Sequence, residues 1–147
     1  MSTATVSRET TQRVRERCLC LCASQAARTL GRRFDRAFRP IGLTAGQFSL
    51  LNAINGPATP PTIGAVAATL AMDRTTLTAN LKPLARRGLL EIFPDPDDRR
   101  GRRVRLTVPG MAALAEGLPI WEAQHAAIED DLPYDADQLR SSLRALL

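Results

Sequence analysis

Apolar residues recur every three or four positions from about Glu9 to Phe38, a spacing that places them along one face of an α-helix. Pro40 and Gly42 follow directly and end the helical pattern. The sequence therefore predicts one long amphipathic helix whose apolar stripe consists of Leu19, Cys22, Ala26, Leu30, Phe34, Ala37 and Phe38.

Two shorter helices are predicted next, each introduced by a residue suited to capping. Thr44, with Gln47 three residues later, has the spacing of a capping box before an apolar helix that runs to about Asn55. A loop rich in proline and glycine separates this helix from Thr62, which caps a short third helix.

The fourth predicted helix begins after its cap, Asp73, and runs to about Arg87. Gly88 then supplies the residue that commonly follows a helix end. Pro83 lies inside this helix and removes one backbone hydrogen bond, which predicts a kink or an early end to the regular part.

After this helix the pattern changes from helical spacing to alternation. Leu90 and Ile92 share one face of a predicted strand, residues 94–103 form a predicted charged turn, and alternation returns in 104–107. Further helices are predicted from about 110 to 131 and from 135 to 147. The fold class is mainly α with a small β-hairpin, in the order of a winged helix-turn-helix.

The fourth helix is the candidate DNA-reading element. Leu77, Leu81 and Leu84 recur at helical steps and predict a core-facing back. Hydroxyl groups can bond phosphates or base edges, and arginine can bond guanine in a bidentate manner. The candidate DNA-binding residues on the polar front are Arg74, Thr75, Thr76, Thr78 and Lys82. The alternative interpretation is an amphipathic helix with a solvated polar face.

The charge distribution agrees with a polyanionic partner. The net charge is +5 for the chain, with +6 over residues 1–40, +4 over 41–110 and −5 over 111–147. Such a basic front part indicates nucleic acid, although a solvated basic surface without a partner would have the same composition.

Composition also disfavours several classes of protein. No apolar stretch is long enough for a transmembrane helix, and the N-terminal region has no apolar core of a signal peptide, so we expect a cytoplasmic protein that does not bind membranes. The single histidine and scattered carboxylates form no catalytic constellation, and there is no phosphate-binding glycine loop. We therefore expect no enzymatic activity, no cofactor and no metal site.

The predicted hairpin carries five arginines and three aspartates between residues 95 and 105. Arginine side chains at the tip of a narrow hairpin can enter the minor groove of DNA, and a neighbouring aspartate can hold a guanidinium group in place. The candidate DNA-binding residues here are Asp98, Arg99, Arg100, Arg102 and Arg103.

The hairpin sequence resembles the wing of the multiple-antibiotic-resistance regulator (MarR) family. That wing follows D-x-x-D-R-R, a short gap and V-x-L-T-x-x-G, and residues 72–90 also resemble the family's recognition helix and its exit. The matching positions are Asp95, Asp98, Arg99, Arg100, Val104, Leu106, Thr107 and Gly110.

The resemblance implies a single domain over residues 1–147 that forms a homodimer. Helices at about 9–40 and 110–147 would interleave in the dimer layer, and about 44–108 would form the DNA-binding lobe. It further implies a pseudo-palindromic operator in double-stranded DNA, and a repressor released by a small-molecule effector or an oxidant. The alternative is an architectural, non-specific DNA-binding protein without an effector.

The family's effector pocket often lies between the dimer layer and the DNA-binding lobe. The aromatic residues that we would place near it are Phe34, Phe38, Phe48 and Trp121, for which plain core packing is the alternative.

Cys18, Cys20 and Cys22 permit structural, redox or metal-binding interpretations. The peroxide-sensing branch of the family carries its reactive cysteine close to the position of Cys20. The tyrosines that hold that thiolate are replaced here, since their places are taken by Ser24, Phe34 and Ala45. Cys18 and Cys22 have the i, i+4 spacing that could serve a soft metal, but no third ligand is evident.

Overall fold

The structure is a computed structural model and describes residues 4–147, so the first three residues of the predicted 1–147 domain lie outside it. These residues form helices and one two-stranded antiparallel sheet, which confirms the predicted fold class. In chain order the elements are α1 (Arg8–Arg17), α2 (Leu19–Phe38), a 3-10 turn (Arg39–Ile41), α3 (Ala45–Asn55), α4 (Ile63–Thr69), α5 (Arg74–Arg86), β1 (Leu90–Asp95), β2 (Asp98–Leu106), α6 (Val108–Asp131) and α7 (Ala136–Arg144).

The first helical stretch is broken at Cys18, so the prediction of one continuous helix is wrong. Cys18 adopts an extended conformation (φ −76°, ψ 105°), and its Sγ accepts a hydrogen bond from the Leu21 backbone N–H at 3.3 Å. The apolar stripe begins only at Leu19, and α1 has no buried residue. No packing therefore holds α1 in line with α2, and the Cys18 thiol acts as a helix cap.

The predicted caps of the next three helices are confirmed. Thr44 and Gln47 form a complete capping box, with both reciprocal hydrogen bonds at 3.1 Å. The Thr62 hydroxyl accepts from the Ala65 backbone at 3.1 Å, and Asp73 accepts from the Thr76 backbone at 2.9 Å. These side chains satisfy N–H groups that the helix itself leaves unpaired.

Helix α5 continues through Pro83 to Arg86, so the expected early end of its regular part is wrong. Proline costs the helix one hydrogen bond, but Leu84, which follows it, is completely buried together with Leu77 and Leu81. Burial of a leucine side chain contributes about 1.5–3 kcal/mol, which is enough to hold the last turn in helical form.

The hairpin is longer than the sequence pattern predicted. Pairing of β1 with β2 runs from Leu90 opposite Leu106 to Asp95 opposite Asp98, with an irregularity next to Pro94. The predicted charged turn over 94–103 is therefore wrong, because only residues 96 and 97 connect the strands. The apolar alternation disappears near the tip because most residues there are exposed and the one buried residue is the charged Asp95, while backbone pairing persists.

The core lies where α2, α3, α4, α5 and α6 meet the base of the hairpin. Its largest fully buried side chains are Phe38, Leu51, Val66, Leu77, Leu81, Leu84 and Val104. The outer helices differ, since neither α1 nor α7 has a buried residue. Large apolar side chains exposed on the N- and C-terminal helices include Leu19, Leu30, Leu118, Trp121 and Leu143, and Leu146 is exposed just after α7. None of the helices in residues 4–147 is both long and apolar enough to cross a membrane.

Candidate nucleic-acid interface

Helix α5 turns its leucine face to the core and presents its polar candidates to solvent. All five predicted residues of this helix are exposed: Arg74, Thr75, Thr76, Thr78 and Lys82. Two of the three hydroxyl groups already have acceptors, because Thr76 donates to Asp73 Oδ1 at 2.6 Å and Thr78 donates to the Arg74 carbonyl at 2.8 Å. These two threonines therefore present methyl groups more readily than hydroxyl groups.

Arg74 lies on the flank of α5 that faces α4. A Cβ atom added to Gly64 would be 3.3 Å from Arg74 Nη2 and 3.5 Å from its Cζ, so the guanidinium group lies directly over this glycine. The contact places the cation beside the first turn of α4.

The first turn of α5 is occupied by its own cap. Hydrogen bonds from the side chain and the backbone of Thr76 lower the pKa of Asp73, so its carboxylate is ionised near neutral pH. A negative charge already compensates the positive end of the helix dipole. A phosphate bound at this end would meet the carboxylate, so phosphate contacts are expected from the long cations instead.

Three of the wing arginines point into solvent. Arg99, Arg100 and Arg102 are exposed, and none of them forms an ion pair within the described part of the chain. Asp98, which we expected to hold one of these guanidinium groups, instead accepts a hydrogen bond from the Arg100 backbone at 3.0 Å and orders the hairpin turn.

Arg103 has a different position, because its donor groups are used inside the protein. Its Nε atom donates to Asp95 Oδ1 at 2.9 Å, and its Nη1 donates to the Pro60 carbonyl at 2.7 Å. A weaker ion pair joins Nη2 to Asp97 Oδ2 at 3.7 Å. The sequence grouped Arg103 with the DNA-binding arginines, whereas these contacts make it an anchor of the wing.

Asp95 contributes to the wing but was not among the residues predicted from the sequence to bind DNA. Its side chain is 7% exposed, and it accepts hydrogen bonds from Arg103 and from the Asp97 backbone. The Arg103 hydrogen bond is the main cause that lowers the pKa of Asp95, followed by the Asp97 backbone hydrogen bond. The signal for it was present, since Asp95 is the first aspartate of the D-x-x-D-R-R pattern.

The segment before α4 is joined to the wing by an isolated antiparallel bridge. Thr62 forms an antiparallel bridge with Arg103, and the Val104 backbone N–H donates to the Pro61 carbonyl at 3.1 Å. Together with the Arg103–Pro60 hydrogen bond, these contacts fix the hairpin to the helix-turn-helix. No sequence pattern indicated this pairing.

We expect Asp95→Asn to weaken DNA binding while the helices stay folded, because the amide cannot balance the half-buried Arg103 cation and the wing loses its anchor. Gel-shift titration and circular dichroism would measure the two effects. Asp97→Asn is the matched control, since Asp97 is 85% exposed and contacts Arg103 only at 3.7 Å. Equal losses of affinity in both variants would contradict the anchor.

The same pair gives a pH dependence with a defined sign. The pKa of Asp95 is lowered in the folded protein, so its contribution to stability is complete above the unfolded value near 3.8. This contribution is lost as the pH falls from there through the folded value.

Comparison with known proteins places these features in one family. The MarR family profile matches residues 41–101, which include α3, α4, α5 and most of the hairpin. The structure of the transcriptional regulator MosR of M. tuberculosis in complex with DNA is 37% identical, covers 88% of this chain and 92% of that chain, and superimposes with a TM-score of 0.80. The chain belongs to the MarR family.

Two curated relatives match over shorter regions. The multiple antibiotic resistance protein MarR of Escherichia coli is 36% identical over 95 residues, which are 63% of this chain and 59% of that protein. The transcriptional activatory protein BadR of Rhodopseudomonas palustris is 34% identical over 88 residues, which are 58% of this chain and 50% of that protein. The matched regions thus span between half and three fifths of these relatives.

The last part of the MarR wing motif packs the hairpin against α6. Thr107 caps α6 by accepting from the Gly110 backbone at 3.1 Å, and its hydroxyl donates to the Gly88 carbonyl at 2.5 Å. Gly110 is buried directly on the Leu89 carbonyl, which a Cβ atom would approach to 1.8 Å. Glycine is therefore required at this position of the motif.

The four aromatic residues predicted near the MarR effector pocket are only partly brought together. Phe48 and Trp121 line a cavity of about 440 Å³ between α3, α4 and α6, together with Ser49, Asn52, Ala53, Thr69, Leu70 and Leu118. Phe34 and Phe38 do not line it. They are buried in a row of rings that joins Phe48 to His125, with centroid distances of 4.6, 5.8 and 5.1 Å.

The three cysteines of this MarR-family chain are free thiols. Cys18 is half-buried, whereas Cys20 and Cys22 are exposed. Cys18 precedes α2, so the metal-binding interpretation that placed it with Cys22 inside one helix lacks its structural basis. Residues 4–147 contain no group of three or more potential ligands that could hold a metal ion.

Proposed function

We propose that this chain is a transcriptional regulator that binds double-stranded operator DNA in a sequence-specific manner. The observation that carries the proposal is the division of the wing arginines into two sets. Arg103 is held by Asp95 and the Pro60 carbonyl, while Arg99, Arg100 and Arg102 are left exposed. A hairpin that is anchored through Arg103, with unpaired arginines between this residue and the turn, is suited to the minor groove. MosR, which is similar in fold and sequence, has been crystallised with DNA.

We infer a homodimer with two reading lobes. Helices within 9–40 and 110–147 would form the dimer layer, and residues 44–108 would form the winged helix-turn-helix lobe. The exposed apolar residues of α2, α6 and α7 support this assignment, because no other part of the same chain covers them. Two related lobes would read a pseudo-palindromic site with half-sites about 34–36 Å apart.

Regulation is proposed to release a repressor from its operator, through a small-molecule effector or an oxidant. The cavity lined by Phe48 and Trp121 has a size that suits a small molecule. An oxidant would react with the exposed Cys20 thiol. BadR is named as an activatory protein, so the direction of control needs a transcription assay with this protein. The protein would act by binding, without catalysis or cofactor, and in the cytoplasm where its DNA lies.

Selection of random DNA duplexes by the purified protein at near-physiological salt tests the proposal. Enrichment of an inverted repeat is expected. Binding without enrichment, with a steep dependence on salt, would instead support the architectural alternative. Absence of binding to any duplex would overturn the DNA-binding function.

Cys20→Ser tests the oxidant branch of the regulation. The variant is expected to bind the selected operator normally under reducing conditions and to stay bound when peroxide releases the wild type. Fluorescence anisotropy of a labelled operator would follow both proteins. Release of the variant at the same peroxide concentration as the wild type would show that Cys20 is not the sensor.

A further inference from the structure

The outward face of α5 contains a residue that the candidate set for DNA reading did not include. Successive residues of an α-helix are 100° apart, so the positions opposite the buried leucines are those of Thr75, Ala79, Lys82 and Arg86. All four are exposed. Ala79 lies between Thr75 and Lys82 along the line of the helix, at the centre of the surface that would enter a groove.

The centre of this surface is apolar. Ala79 has only a methyl group, and the neighbouring Thr78 hydroxyl is used by the Arg74 carbonyl at 2.8 Å. Asn80 is directed to the flank next to α3, where it lines a cavity with Thr44 and Gln47. Arg74 packs over Gly64, to one side of this centre, whereas Lys82 and Arg86 flank it one and two turns further along the same face. The side chain at the centre itself therefore offers no hydrogen-bonding group.

We propose that Ala79, together with the Thr78 methyl group, is a specificity-determining contact for the C5-methyl group of thymine. In the major groove this methyl group is the one apolar feature by which base pairs differ, and alanine and threonine methyl groups are its usual partners. A longer side chain at position 79 would hold the helix away from the bases. The proposal rests on the proposed function, because it requires α5 to lie in the major groove.

Deoxyuridine substitution tests the contact, since it removes only the methyl group from a thymine. Each thymine of the selected half-site is replaced in turn, and affinity is measured by fluorescence anisotropy. Burying one methyl group corresponds to about a fourfold change in affinity. We expect a loss of this size at one or two thymines of each half-site, and little change at the others.

The assignment to Ala79 is tested by repeating the series with Ala79→Gly. The sensitive thymine should become insensitive in this variant, while other positions keep their wild-type response. Because the comparison is between two duplexes bound by the same variant, a general loss of helix stability cancels. Ala79→Ser, which costs the helix less than glycine does, is the second variant and should give the same pattern.

Three outcomes would overturn the proposal while leaving sequence-specific binding intact. These are a selected half-site without thymine, thymines that all tolerate deoxyuridine, or an Ala79→Gly variant with the same sensitivity as the wild type. Failure of the proposed function has a different signature, because the wild type would then show no preference among duplexes at all.

Discussion

Replacing Gly110 by alanine is expected to prevent stable folding. The added Cβ atom would lie 1.8 Å from the Leu89 carbonyl oxygen and 2.8 Å from its carbonyl carbon. Both are backbone atoms, and the same carbonyl accepts the Thr107 N–H at 3.1 Å, so it cannot move without opening the joint between the hairpin and α6. Overpacking a core by a methyl group typically lowers the free energy of unfolding by about 1–3 kcal/mol. We expect at least this loss here, because the clash is with backbone atoms.

Thermal and urea unfolding followed by circular dichroism would measure the effect. Gly31→Ala is the matched control, because an added Cβ at Gly31 has no atom within 4 Å and the residue lies inside α2. Alanine is the better helix former by about 1 kcal/mol, so this variant should be equally or more stable than the wild type. A Gly110→Ala protein with wild-type stability would mean that the wing is not packed on α6 in this way.

The double variant Arg99→Ala with Arg100→Ala is expected to lose most of its operator affinity and to keep its fold. Neither side chain forms an ion pair within residues 4–147, so the folded state loses little when they are removed. An arginine contact to DNA contributes about 1–3 kcal/mol, so two such contacts predict a loss of roughly 30-fold or more. The dependence of log affinity on log salt should become shallower, since each lost phosphate contact lowers the slope by about one.

A second double variant tests whether the position of the two arginines matters or only their charge. Arg28→Ala with Arg32→Ala removes the same two charges from exposed positions on α2, and we expect a much smaller loss. Anisotropy titrations of both double variants over a range of salt concentrations would make the comparison. Equal losses in the two would show that only overall charge matters and would contradict the wing assignment.

Local signals in the sequence were sufficient for most element boundaries. The capping residues Thr44, Thr62 and Asp73 were predicted correctly because their hydrogen bonds are made within three residues of the cap. Contacts of this kind depend on sequence spacing alone. The wing motif was recognisable by its resemblance to the family pattern, although Gly110 is required because of Leu89, which lies far from it in sequence.

Features that depend on distant packing were missed. Pro83 predicted a kink or an early end of α5, but the helix continues past Pro83 because Leu84 is buried against the core. The break at Cys18 was also missed, although the apolar stripe begins only at Leu19 and α1 has no buried residue. The use of Arg103 as an anchor requires Pro60, a residue 43 positions away, and so could not be separated from the neighbouring arginines by sequence.

The isolated bridge between Thr62 and Arg103 has a mechanical consequence for the proposed dimer. Since the hairpin is pinned to the segment that leads into α4, it cannot swing independently of the reading helix. Each lobe would therefore bind DNA as a rigid unit, with the wing and the reading helix in a fixed relative position. Inserting a single base pair between the half-sites rotates one of them by about 34° relative to the other. The wing and the reading helix of one lobe would then both be out of register with their grooves. Only the other lobe would bind such an operator.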